Sequence, residues 1–142
     1  MFIFLLFVVH ACTFVIIGYA EKFHRTGNKI TLLHCPENFI SDINVLSPGT
    51  LMDLQKERAS KTASLMDKFM DKARSLHIEA EFMSKAAEKA GHAIVEVSED
   101  MKPYMIVVGT RGMGKIRRTI LGSVSDFVVH HAHCPVLVYR QK

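Results

Sequence analysis

Residues 1–20 contain no Asp, Glu, Lys or Arg. An uncharged run of that length is long enough to cross a bilayer or to form the core of a signal peptide. Gly18-Tyr19-Ala20 ahead of Glu21 has the small-x-small form of a cleavage site, but the basic residues that open a signal peptide are missing and His10 interrupts the run. The same stretch also reads as a buried strand over residues 2–9 followed by a helix over 14–24. A fourth reading, an alternative start joined to a domain that begins near Tyr19, stands beside these three at the level of the sequence. The chain is therefore divided into an atypical apolar segment, 1–20, and a domain, 21–142. Cysteine is scarce as well: Cys12, Cys35 and Cys134 are unevenly spaced in apolar surroundings. That excludes a disulfide framework and favours a reducing compartment, hence a cytoplasmic location, with a membrane-tethered or secreted form as the alternative.

Other absences narrow the function. No zinc-finger spacing, RNA-binding aromatic motif, HExxH helix, Ser-His-Asp order or lysine-bearing G-x-x-x-x-G-K-[S/T] loop occurs. No general base can be named, so catalysis is the weaker class. The net charge of +4 is spread over the chain, and cations concentrate only at Lys115, Arg117 and Arg118. A local anion site fits this better than a nucleic-acid stripe. His130, His131, His133 and Cys134 are good zinc-ligand types, but the two adjacent histidines point in different directions on a helix, and no second cluster completes a tetrahedral set.

At 142 residues the chain has the size of one domain, with no internal repeat. Apolar β-branched runs at residues 30–35, 104–108 and 136–139 read as buried strands, and alternation of Ile78, Ala80 and Phe82 with Glu79 and Glu81 reads as an edge strand. Helices are expected over 50–76, with Met66, Phe69, Met70 and Ala73 as its core stripe, and from Gly91 onward, with Ala93, Ile94 and Val97 buried. Ser47-Pro48-Gly49 reads as a turn. Strands alternating with helices predict an α/β fold with a mostly parallel sheet.

The densest signal follows the strand at 104–108. Gly109-Thr110-Arg111-Gly112 is followed by nine residues, then Gly122-Ser123-Val124-Ser125-Asp126-Phe127. Glycines let backbone N–H groups approach an anion, and Ser123, three residues before Asp126, reads as the N-cap of a helix. A helix N-terminus favours phosphate oxygens, and the hydroxyls of Ser123 and Ser125 would add donors. Arg111 and Lys115 are the cations nearest Gly112 in sequence.

At these residues the chain resembles the universal stress protein family, whose nucleotide-binding pattern is G-x-x-G, nine residues, then G-[S/T]. Gly109, Gly112, Gly122 and Ser123 fit without a gap. The ending His133-Cys134-Pro135-Val136-Leu137-Val138 also resembles the family, and Arg111-Gly112 with residues 116–125 resembles its eukaryotic single-domain members in particular. The resemblance implies an open parallel five-stranded α/β sheet, order 3-2-1-4-5, with helices on both faces, of the adenine nucleotide alpha hydrolase-like kind. It implies ATP binding, with AMP or ADP as alternatives and Mg2+ as an accompanying ion, slow hydrolysis at most, a role in stress response or signalling, and a homodimer paired through the last strand. The site it implies comprises Cys35 and Val108 on the base and ribose side, with Gly109, Arg111, Gly112, Gly122, Ser123, Val124 and Ser125. The family's first strand ends in an Asp beside the adenosine, and this chain has no Asp before Glu21. The first strand is thus expected to be replaced or altered. The alternative function is a nucleotide-independent homodimeric interaction protein, in contact with a membrane only if residues 1–20 act as an anchor.

Overall fold

Each apolar run of four to six residues becomes a strand and each stretch of helical periodicity a helix, in strict alternation. The structure is a computed structural model that describes residues 3–7 (as backbone), 13–36, 47–110 and 121–140. In chain order the elements are β1 Ile3–Phe7, α1 Thr13–Lys22, β2 Lys29–His34, α2 Pro48–Ser75, β3 Glu79–Ser84, α3 Ala90–Met101, β4 Met105–Gly109, α4 Ser123–His131 and β5 Val136–Tyr139. The strands form one sheet in the order β3-β2-β1-β4-β5, and every neighbouring pair is parallel.

Strand β1 is central, with Phe4 level with Ile30 of β2 on one side and with Met105 of β4 on the other. The uncharged N-terminal run therefore enters the sheet as a strand and continues, from Thr13, as a helix. Residues 20 and 21 are consecutive residues of α1. Among the described residues, no helix is long and apolar enough to cross a membrane.

Side-chain alternation divides the core between the two faces of the sheet. On one face Ile30, Leu32 and Val107 meet Val15, Ile16 and Tyr19 of α1 and Leu65, Phe69 and Ala73 of α2. On the other, Leu33, Cys35, Ile106 and Val108 meet Ala93, Ile94 and Val97 of α3 and Val128 of α4. Strand β4 is buried on both faces, as its run of Ile106, Val107 and Val108 requires.

Several boundaries differ from the sequence expectation. Ser47-Pro48-Gly49 is no turn: Ser47 is the N-cap of α2, its Oγ accepting the Thr50 N–H at 3.3 Å, and Pro48 occupies the first turn, where its missing N–H costs nothing. The stripe that α2 buries is Leu65, Phe69 and Ala73, whereas Met66 is 39% exposed. Tyr104 precedes β4 and is exposed. Ile78 precedes β3, and its N–H donates to Ala73 O at 3.0 Å, closing the end of α2. Helix α1 stops at Lys22 and not at residue 24, and Gly27, with a positive φ of 88°, serves the turn into β2.

Candidate functional site

In a sheet of this order the chain winds outward from β1 through β2 to β3 and from β4 to β5. The carboxyl ends of β1 and β4 therefore flank the point where the winding reverses, the usual ligand crevice of open α/β sheets. Val108 and Gly109 end β4 there, and the topology returns α4 from the same end.

Helix α4 begins one residue earlier than the capping pattern predicts. Gly122 is the N-cap, with extended backbone at φ −65° and ψ 152°, and no side chain caps the helix. Ser123 is the first helical residue instead, because the first intrahelical bond runs from the Asp126 N–H to Gly122 O at 2.9 Å. The amides of Ser123, Val124 and Ser125 precede that bond and carry the helix's partial positive charge. Ser125 is 3% exposed, and its hydroxyl donates back to Gly122 O at 2.9 Å. Its proton is thus committed within the turn, while Ser123 stands exposed. Among the described residues, a Cβ on Gly122 would meet nothing nearer than Ser125 Oγ at 3.7 Å, so packing against them does not demand glycine there.

Gly109 is different. A Cβ there would lie 2.7 Å from Val15 Cγ2 and 3.1 Å from Phe14 Cζ, so its lack of a side chain admits the first turn of α1. Neither contact has a sequence signature, because Phe14 and Val15 lie inside the uniformly apolar N-terminal run. The neighbouring Thr110 N–H donates to Tyr139 O at 3.0 Å, tying the start of the glycine loop to β5.

Cys35 follows β2 at the same end of the sheet. It is 8% exposed, and burial pushes its thiol up to about 11, opposed by the Lys85 ammonium. Lys85 in turn pairs with Glu96 of α3 at 2.8 Å, and its N–H donates to His34 O at 2.9 Å. His34 is buried, its ring 6.3 Å from that of Phe82. Cys35, Val108 and Val124 belong to one apolar cluster, so the structure brings together β2, β4 and the first turn of α4. Arg111, Gly112, Lys115, Arg117 and Arg118 lie outside the described residues.

What holds α4 in place escaped the sequence reading. Phe127 stacks between His92 of α3 and His131 of its own helix, with ring centroids 4.2 and 3.9 Å away. Its Cδ1 lies only 2.9 Å from where a Cβ on Gly91 would be. His130 and His131 donate from Nδ1 to Asp126 O and Phe127 O, each at 2.8 Å, in the last turn, where imidazoles suit the dipole. His133 Nε2 lies 3.4 Å from Glu99 Oε1. These two side chains, with Ser98, Lys102, Pro103 and Cys134, line a cleft of about 530 Å3. The cleft sits where α3 ends and β5 is about to begin, the end of the sheet opposite Gly122. Among the described residues, no group of three His, Cys, Asp or Glu side chains is placed to hold a metal ion.

Comparison with known proteins agrees with this geometry. The profile described as the Universal stress protein family matches residues 15–140. A universal stress protein A-like protein of Arabidopsis thaliana is 30% identical over 129 residues, covering 85% of this chain and 73% of that protein. A solved universal stress protein family protein from Arabidopsis thaliana, with AMP bound, superposes with a TM-score of 0.75 at 23% identity, covering 100% of this chain and 93% of that one. The universal stress protein from Archaeoglobus fulgidus in complex with dAMP does so with a TM-score of 0.63 at 17% identity, covering 97% of each chain.

Proposed function

The chain belongs to the universal stress protein family, and from that premise we propose that it binds an adenine nucleotide, ATP in the first instance, at the carboxyl end of β4 and the amino end of α4. The observation that carries the reading is the first turn of α4, where, among the described residues, a glycine N-cap without a side-chain cap leaves the amides of Ser123, Val124 and Ser125 ahead of the first intrahelical bond, beside the exposed Ser123 hydroxyl. Phosphate oxygens are the complementary chemistry. Cys35, Val108 and Val124 supply apolar surface from the same end of the sheet, the likeness to the family's glycine pattern adds Arg111 and Gly112 to the reading, and Mg2+ can accompany a triphosphate. The relatives with AMP and dAMP bound support the nucleotide class. A cytoplasmic homodimer acting in stress response or signalling, paired through β5, belongs to the same reading. The free thiols of Cys35 and Cys134 are consistent with a reducing compartment.

Calorimetry with ATP, ADP, AMP and GTP on the unaltered chain and on Gly122→Val tests it. Because a side chain fits at Gly122 without a clash, the variant should keep its fold and melting temperature while losing at least about tenfold in affinity, roughly 1.4 kcal/mol. Unchanged affinity would remove the site from α4. The filled space above Gly109 favours a second reading, a homodimeric interaction protein without nucleotide, and absence of binding by all four nucleotides would select it.

A further inference from the structure

Helix α2 has 28 residues, about 42 Å at 1.5 Å per residue, whereas the longest strands have 6 residues and span about 20 Å. Its buried residues are Leu65, Phe69 and Ala73, so within residues 48–64 no side chain is fully buried, and only Leu51, Leu54 and Thr62 are half-buried. Along one flank of this helix, next to the buried stripe, Met52, Ala59 and Met66 recur at intervals of seven, with Ala63 beside them. All four are exposed, Met52 by 70% and Met66 by 39%. Of the four exposed large hydrophobic residues among the described residues, two lie on this stripe.

We infer that this flank of α2 is a self-association surface whose occupant is the same helix of a second copy, packed antiparallel with Ala59 near the two-fold axis. The stripe reads the same in both directions from Ala59, seven residues back to Met52 and seven forward to Met66. Antiparallel pairing therefore places each Met52 against a Met66 and the small Ala59 residues against each other, which lets the backbones approach. The charges select the same orientation. Beside the stripe stand Lys56 in the amino-terminal half and Asp67 in the carboxyl-terminal half. In an antiparallel pair the Lys56 of one copy lies about 7.5 Å along the axis from the Asp67 of the other, within reach of a lysine side chain. A parallel pair would set Lys56 against Lys56 and Asp67 against Asp67. The Glu57–Lys61 ion pair faces away from the stripe and leaves it clear. This surface is separate from the β5 edge and from the nucleotide reading, and depends on neither.

Sedimentation velocity on the full chain carrying Val138→Pro, which removes any contribution from β5 pairing, reads the association as a function of concentration. Mass-action association is expected, weakened at least tenfold by Ala59→Glu and by Lys56→Glu, and restored when Lys56→Glu is combined with Asp67→Lys. Ala59→Cys should form a disulfide-linked dimer under mild oxidation where the parent does not. A species that sediments independently of concentration, association indifferent to Ala59→Glu, or failure of the double charge reversal to restore it would each overturn the inference and leave this flank to another partner.

Discussion

Glycine is where single residues decide most in this chain, and two helical glycines should respond in opposite directions to one methyl group. Gly49 has nothing within 4 Å of its would-be Cβ, so Gly49→Ala should stabilise α2 by about 0.5 kcal/mol through helix propensity alone. Gly91 has Phe127 Cδ1 at 2.9 Å and Phe127 Cβ at 3.2 Å. The Cβ is fixed to the backbone and cannot swing aside, so overpacking of about 1–3 kcal/mol should exceed the propensity gain. Amide exchange in the first turns of α2 would check the first sign and thermal melts the second, and a Gly91→Ala variant more stable than its parent would contradict the packing account. Cys35 gives a pH dependence. Burial raises its thiol from 9.0 to about 11 in the folded chain. Between those values the folded state holds a proton that the unfolded state has released, so stability is full below about pH 9 and falls as pH rises toward 11. Cys35→Ala should flatten the alkaline limb of the melting temperature against pH. Tyr19, pushed up to about 12 by burial, leaves a residual slope of the same sign.

At the scale of elements, α2 behaves as two helices in sequence. Phe69 is fully buried against the sheet, and Phe69→Ala should cost about 3–5 kcal/mol of global stability in urea unfolding. Ser47 caps the other end, where no side chain before Leu65 is fully buried. The roughly 1 kcal/mol that its Oγ contributes should therefore appear as local fraying. Ser47→Ala is expected to speed amide exchange in the first turns of α2 and to leave the melting temperature almost unchanged. A drop of several degrees would mean that the extended half is coupled to the core. Phe69 and Ala73 are buried as expected and Met70 packs against them, but Leu65 stands in the stripe where the sequence put Met66. Met66, Phe69, Met70 and Ala73 fit helical spacing as well as Leu65, Phe69 and Ala73 do, and periodicity ranks the two faces of a helix alike when both are apolar.

For the whole molecule, β5 closes one edge of the sheet, and its residues Val136 to Tyr139 are all half-buried in the monomer. An apolar edge strand is a template for pairing with another copy. Val138→Pro removes a ladder donor and should convert a homodimer into monomers in light scattering, provided the measurement is made below the concentration at which α2 associates. A monomeric parent at micromolar concentration would sink the β5 interface. The edge is also tied to α1. Tyr139 lies 6.0 Å from Phe14, has Lys22 5.5 Å above its ring, and sits where a Cβ on Gly18 would have to go. Any partner of β5 would thus meet a strand braced by the N-terminal helix.

The α/β alternation, the strands at residues 30–34, 105–108 and 136–139, and the order of strand, glycine loop and helix at the proposed phosphate site are legible in the chain read in order. These are local patterns, written by burial and by backbone freedom within a few residues of chain. The rest came from long-range packing. The uncharged residues of the N-terminal run could have been a leader, a span or a strand, because hydropathy records the wish to leave water and says nothing of what provides the shelter. Partners on both sides, β2 and β4, make Ile3–Phe7 a strand. The glycines at 109 and 122 look alike in sequence, yet the first makes room for α1, and the second, among the described residues, is pressed by nothing nearer than Ser125 Oγ. That difference rests on contacts between residues about ninety positions apart, for which a single chain read in order carries no signal.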